Sequence, residues 1–250
     1  MPRLKDQAIC IRHLDWSETS QVVVLMSENH GKLRGLAKGS KRASPSHMQR
    51  FSGGIELLTR GEIVATTKPT AELATVTEWD LQDDYYHLRR DLAAHQLGMY
   101  GADAVNALAA ELDPHPRSFD ALRVYLEALA EPAHRQRALL DLQWTLLDDA
   151  GYRPELESDV QTNDPLPPGT AYTFDPRSGG FTTRQSVGDG DWRVRAQTVK
   201  LLGRLAKGEP FDTTDTDSLG RANRLLCAYL RWILDRELPT MRYVLARTRR

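Results

Sequence analysis

The feature that most restricts the fold is a change of period near Leu81. Before it, residues 8–13, 20–27, 32–38, 54–59, 62–66 and 71–78 form short runs rich in Val, Ile, Leu and Thr, separated by turn residues. After it, residues 84–112 place Leu88, Leu92, Leu97, Tyr100, Ala104 and Leu108 close to helical spacing. A chain that runs through strands and then through helices belongs to the α+β class. The spacing predicts a small closed β-barrel over residues 1–80, of either the oligonucleotide-binding (OB) or the SH3-like type. Residues 81–250 are expected to form an all-α helical domain.

Helices are expected over about residues 116–130 and 135–150, the first bracketed by Pro116 and Pro132 and the second ending at Gly151. Residues 152–190 lose all periodicity and are loaded with Pro, Gly, Asp and Thr; only 171–174 and 180–183 read as strands. They are predicted to be an irregular insertion with little core of its own. Helical spacing returns over 191–206 and 218–238, where Leu219, Ala222, Leu226, Tyr229, Leu230 and Ile233 form an apolar stripe, with Ser218 expected as its N-cap.

Charge is distributed unevenly. Residues 31–50 carry Lys32, Arg34, Lys38, Lys41, Arg42 and Arg50 with no acid, in a chain whose formal net charge is −1. In a strand, Lys32, Arg34, Leu36 and Lys38 share one face, while Leu33, Gly35 and Ala37 share the other. Gly39, Ser40, Ser44, Pro45 and Ser46 then predict a flexible connection carrying Lys41 and Arg42. A basic strand followed by a basic loop can track a phosphate backbone, because each neutralised phosphate releases a counterion; a solvated strand with a polar loop has the same composition. Arg242, Arg247, Arg249 and Arg250 make a second, weaker candidate patch, for which a solvated tail is the simpler reading.

Several chemistries are excluded by what the sequence lacks. The seven histidines show no H-E-x-x-H pair, and no nucleophile elbow, P-loop or dinucleotide fingerprint occurs, so no catalytic residue, metal ligand or cofactor is assigned. Cys10 and Cys227 are the only cysteines, too few for a disulfide framework or a four-cysteine zinc site, and both read as small buried hydrophobes. No apolar run approaches the roughly 20 residues a bilayer requires, and no secretory signal opens the chain, so a cytoplasmic protein without membrane contact is expected. Asp83 and Asp84 precede a helix and read as caps. Of the five tryptophans, only Trp16, in the loop-like LDWSETS, is a candidate stacking platform for a base.

The opening AICIRHLDWSETSQVVVLMSENHGKLRGLAKGSKR resembles the bacterial RecO family of recombination mediators: a first strand, a D-x-x-E-T/S turn at residues 15–20, a hydrophobic strand, then H-G-K/R-x-R-x-x-A-K-G-x-K/R at residues 30–42. The segments LLDDAGYRPEL (146–156), DPRSGG (175–180) and LRWILDREL (230–238) fall where that family has comparable segments. The resemblance implies an N-terminal OB fold, a helical domain, and an insertion that in many relatives carries two C-x-x-C pairs binding zinc. Here that position has no cysteine. It also implies a non-enzymatic DNA repair and recombination mediator associated with the nucleoid. Such a mediator binds single- and double-stranded DNA, anneals complementary strands and, with RecR, loads RecA onto DNA coated by single-strand-binding protein (SSB), whose C-terminal tail it receives in a helical groove. An RNA-binding OB protein would share the basic strand, and a metal-dependent hydrolase would need clustered ligands.

Overall fold

The computed structural model describes residues 3–42, 44–67, 71–184, 192–212 and 214–246. Five strands, β1 (Arg3–Asp15), β2 (Gln21–Ser27), β3 (Gly31–Ala37), β4 (Arg60–Thr66) and β5 (Ala74–Asp83), close into a barrel in the order β1-β2-β3-β5-β4. β4 returns to β1, and β3 pairs with β5 in parallel. That order, with helix α1 (Pro45–Phe51) between β3 and β4, is the OB topology and excludes the SH3-like alternative.

Alternation explains why these runs close. Leu33, Gly35 and Ala37 point inward, where Leu33 and Ala37 meet Val23, Leu25, Ile63, Val76 and Trp79, while Lys32, Arg34, Leu36 and Lys38 point outward as expected. Phe51 from α1 and Ile55 join that core. Gly31 turns the chain into β3 with φ +70°, and the carbonyl of Asp113 occupies the space a Cβ would need.

Two expectations in this half are corrected. Residues 45–51 are not a loop: Pro45 occupies the first turn of α1, and burial of Phe51 in the barrel rewards the helix. Residues 54–59 are not a strand. The backbone N–H and C=O of Ile55 pair with the Gln21 side chain (3.1 and 3.0 Å), and Leu58 adopts φ +58°, so the extended run is broken.

β5 continues to Asp83, where Asp83 and Asp84 accept the N–H of Tyr85 and Tyr86 and turn the chain toward α2 (His87–Arg90). The expected long helix is therefore two, because Asp91 is extended and its Oδ1 accepts from Ala94 N to start α3 (Leu92–Leu108). α4 (Pro116–Ala128) follows; α3 packs on β1 and α4 on β2, within one compact unit spanning Met1–Pro132.

Ala133–Arg250 form the second unit. In it α5 (Arg135–Asp149) packs on α7 (Thr216–Ile233), and the Gln143 amide donates to Asn223 Oδ1 (2.9 Å) in the buried contact. Asp215, not Ser218, caps α7: its Oδ1 accepts from Ser218 N at 2.9 Å. The described part of the insertion, residues 152–184, is more ordered than its composition predicts. β6 (Ala171–Asp175) pairs with β7 (Gly180–Thr182) and with β8 (Trp192–Arg195), the last within a stretch expected to be helical. β8 is extended because Trp192 stacks on Phe174 (5.6 Å) and Val194 is buried, which delays α6 to Ala196–Ala206. Phe174 and Phe181 are fully buried beside Tyr229 of α7, so this sheet does contribute a core. A turn at Pro239–Met241 and α8 (Arg242–Leu245) complete the described chain.

Carboxylates hold the loops of this cysteine-free sheet. Asp159 Oδ2 accepts from Thr183 N (2.8 Å) and Thr183 Oγ1 (3.0 Å), and its Oδ1 accepts from Gln161 N (3.0 Å). Asp175 Oδ2 accepts from Gln161 Nε2 and Ser178 Oγ, both at 2.8 Å. Burial alone would raise the Asp159 pKa, but these donors outweigh it and hold the carboxyl at about 2, below its ordinary 3.8. A depressed carboxyl pKa contributes stability above the unfolded value that disappears as pH falls through the folded one, here between about pH 4 and pH 2, and is worth roughly 2 kcal/mol. Replacing Asp159 by Ala is expected to destabilise the second unit by about 1–3 kcal/mol at neutral pH. In urea unfolding, the gap between wild type and D159A should shrink by pH 3; a gap unchanged from pH 7 would contradict this role.

Candidate nucleic-acid interface

The outer face of β1-β2-β3 is built by register. Arg12, Val24 and Arg34 lie opposite one another in one transverse row, and Leu14, Val22 and Leu36 in the next. A bulge between Cys10 and Arg12 shifts the alternation of β1, which brings Arg12 to this face and leaves Ile11 buried. At the end of the face, Leu14 is 66% and Trp16 67% exposed, on either side of Asp15 where β1 turns toward β2. OB barrels take oligonucleotides on the β2–β3 face and the β1–β2 loop, which is where these groups sit.

The turn carrying Trp16 and the basic loop after β3 are fastened together. Trp16 N donates to Ser20 O (2.9 Å), Gly39 N to Ser20 Oγ (3.2 Å) and Lys41 N to Thr19 O (3.1 Å). Gln21, buried at the base, accepts from Ser40 Oγ at 2.9 Å and ties the same loop to Ile55. The sequence predicted a flexible connection here. The structure shows a tight turn over residues 39–42, closed by Arg42 N donating to Gly39 O at 3.1 Å.

The six predicted cations are not equivalent. Lys38 and Arg42 are exposed and, among the described residues, have no carboxylate partner; the same holds for Arg12, which the sequence did not single out. Arg34 lies 3.9 Å from Glu111, a loose and half-exposed pair that contributes little. Lys41 Nζ is 2.8 Å from Asp15 Oδ2, and that hydrogen bond holds the Asp15 carboxyl below its ordinary pKa. Lys32 Nζ donates to Asn106 O at 2.8 Å, and burial pushes its ammonium below the usual lysine value. It anchors β3 to the last turn of α3, and just past that helix Leu112 N donates back to Lys32 O (3.0 Å). Arg50 Nε donates to Ser46 O (3.2 Å) within α1, the helix that packs on β5, so the structure does not join it to the β1-β2-β3 face. Among the described residues, the open cationic set on this face is therefore Arg12, Lys38 and Arg42, with Arg34 weakly held.

A cavity of about 370 Å³ beside Lys41 contrasts with this face: Asp15, Glu56 and Asp84 offset Lys41 and Arg89 on its walls, so it is not built for an anion. Of the second candidate patch, Arg242 belongs to the second unit. Its Nη2 donates to Tyr243 Oη (2.9 Å), with the guanidinium 4.9 Å from that ring. Arg247, Arg249 and Arg250 lie outside the described residues. Cys10 and Cys227 are each buried and outside any disulfide, and no group of three His, Cys, Asp or Glu able to hold a metal occurs among the described residues. The residues present at 152–184 thus do not fit the zinc of cysteine-bearing insertions. No helix among the described residues is long and apolar enough to cross a membrane.

The family model for the N-terminal part of recombination protein O matches residues 1–85, and that for its C-terminal part matches residues 89–242. Similar full-length proteins named DNA repair protein RecO include one from Geobacter sulfurreducens, 28% identical over 98% of both chains. Another, from Myxococcus xanthus, is also 28% identical over 98% of both. One from Nocardioides is 27% identical over 96% of this chain and 98% of its own.

Proposed function

Because this chain belongs to the RecO family, we propose that it is a DNA repair and recombination mediator whose barrel grips nucleic acid by its phosphates. The observation that carries this reading is the β1-β2-β3 face. There Arg12, Lys38 and Arg42 lack carboxylate partners among the described residues, beside the exposed Trp16. Cations without partners can release counterions from phosphate, and phosphate contacts carry no base identity, so binding is steeply salt-dependent and indifferent to sequence. Residues 1–80 act as the DNA-binding domain, and residues 81–250, interrupted by 152–190, as the helical domain that recruits proteins. The partners are RecR and the acidic, apolar tail of SSB, and the outcome is RecA loading onto SSB-coated single strands.

No catalytic group enters this function. Screening two phosphate backbones lowers the repulsion between complementary strands, and that is sufficient to speed annealing. Lys41 and Lys32 serve as struts that hold the turn and β3, and Gln21 positions the loop between them.

Trp16 gives the face a means to distinguish strands. An unstacked base can lie on its indole, a contact worth about 1–3 kcal/mol per base that a duplex cannot offer. Replacing Trp16 by Ala should weaken binding of a single-stranded oligonucleotide about 5- to 100-fold in an anisotropy titration, with duplex binding unchanged. Equal losses on both would remove Trp16 from this role. The same titration with structured RNA at matched salt tests the reading as a whole: RNA bound tighter than single-stranded DNA would favour an RNA-binding OB protein instead.

A further inference from the structure

The second unit holds a cleft of about 650 Å³ in which arginines converge from two elements. Arg193 and Arg195 lie two apart on β8, flanking the buried Val194, and therefore share its exposed face. Arg221 and Arg224 lie three apart on α7 and share a helix face. Among the described residues, Asp217 is the one carboxylate on the walls, and Arg193, Arg195 and Arg224 have no ion pair.

Two further observations favour an anion in the cleft. α6 starts directly after Arg195 with no acidic residue in its first turn; Ala196 N donates to Thr170 O (3.0 Å), and the N-cap side chain of Arg195 caps none of the amides that follow, so the helix dipole keeps positive potential at the cleft wall. Thr198, in that first turn, also lines the cleft; it is 1% exposed and its Oγ1 has no hydrogen-bond partner among the described residues. Arg221 Nε is likewise buried without a partner, while its Nη2 donates to Ser218 Oγ at 2.6 Å. Buried polar groups without partners cost about 1–3 kcal/mol each, and these two are enclosed, so direct contacts to a ligand fall to the exposed Arg193 and Arg195 and the half-buried Arg224.

We propose that this cleft binds the phosphate groups of a nucleic-acid strand, as a site separate from the barrel face. A planar carboxylate is satisfied by one guanidinium fork. A phosphodiester presents oxygens in several directions, matching donors that arrive from β8, the α6 N-terminus and α7. Two independent phosphate sites on one chain would let it hold two strands at once, which is what an annealing protein needs. This inference rests on the reading of the chain as a nucleic-acid-binding protein.

The test counts short strands bound by the full chain. With a labelled oligothymidylate of about eight residues at low salt, wild type should saturate at two strands per chain and R193E/R195E at one, as should the barrel variant K38E/R42E; the four changes together should abolish binding. R193E/R195E alters two exposed strand residues, and a thermal melt within a few degrees of wild type confirms its fold. If R193E/R195E keeps wild-type stoichiometry and affinity, the cleft is not a strand site, whether it takes free inorganic phosphate, an acidic peptide or nothing. If K38E/R42E has no effect while R193E/R195E loses all binding, the barrel reading fails and the cleft stands.

Discussion

Reversing Lys38 and Arg42 together to Glu is expected to weaken binding of single-stranded oligonucleotide at the barrel face by about two orders of magnitude at low salt. Both side chains are exposed and, among the described residues, free of carboxylate partners, so their charge is available to phosphate. Each lost phosphate contact lowers the log–log salt slope by about 0.7 for a single strand, so two lower it by about 1.4. Extrapolated from about 1 M to 0.05 M salt, that difference alone is roughly sixtyfold, and the introduced carboxylates add repulsion. Neutralising Lys32 and Arg50 instead should change affinity by less than about threefold, because Lys32 is half-buried on Asn106 O and Arg50 is engaged with its own helix. The measurement is the salt dependence of anisotropy titrations for both variants. Equal effects from the two pairs would mean that bulk charge, rather than the open set on the barrel, drives binding.

The second large effect is on folding. Gly31 adopts φ +70° at the entry to β3, and a Cβ there would overlap the Asp113 backbone. Leu112, next to Asp113, donates its N–H to Lys32 O, so Asp113 cannot retreat without losing a backbone hydrogen bond. Positive φ costs a non-glycine residue about 1–3 kcal/mol, and displacing backbone adds to it. Gly31→Ala should therefore cost about 3 kcal/mol or more, a large fraction of the stability of an ordinary domain. The urea midpoint of the purified variant measures this directly. A loss below about 0.5 kcal/mol would show that the Asp113 segment yields, and that its contact with β3 does not fix the barrel.

Much of this was legible in the sequence, because period-2 alternation leaves no freedom once one face is buried. Leu33, Gly35 and Ala37 had to go inward, and so Lys32, Arg34 and Lys38 had to go outward. The absence of cysteines from the insertion was equally plain. What could not be read was which cations remain open. Lys41 meets Asp15 and Arg34 meets Glu111, partners distant along the chain and joined to them only by the folded barrel. Arg12 was missed because a bulge, which leaves no mark in the hydrophobic pattern, changes the phase of β1. Residues 54–59 have strand composition, yet Gln21 captures the backbone of Ile55 through side-chain amide groups that mimic a neighbouring strand. β8 was read as helix because Trp192 and Val194 satisfy either period over so short a stretch, and only the stacked Phe174 decides between them. The arginine cleft was invisible for the same reason: its four guanidinium groups come from two elements separated by all of α6.

The most direct measurement is annealing of complementary oligonucleotides, each coated with SSB, in the presence of this protein or of its K38E/R42E variant. If the barrel face holds phosphate and the helical residues engage SSB, wild type should accelerate annealing by about tenfold or more, with the gain falling steeply as salt rises and absent in the variant. Acceleration that is equal for the two proteins, or no acceleration by either at low salt, would contradict a mediator that works through the positive face of its barrel.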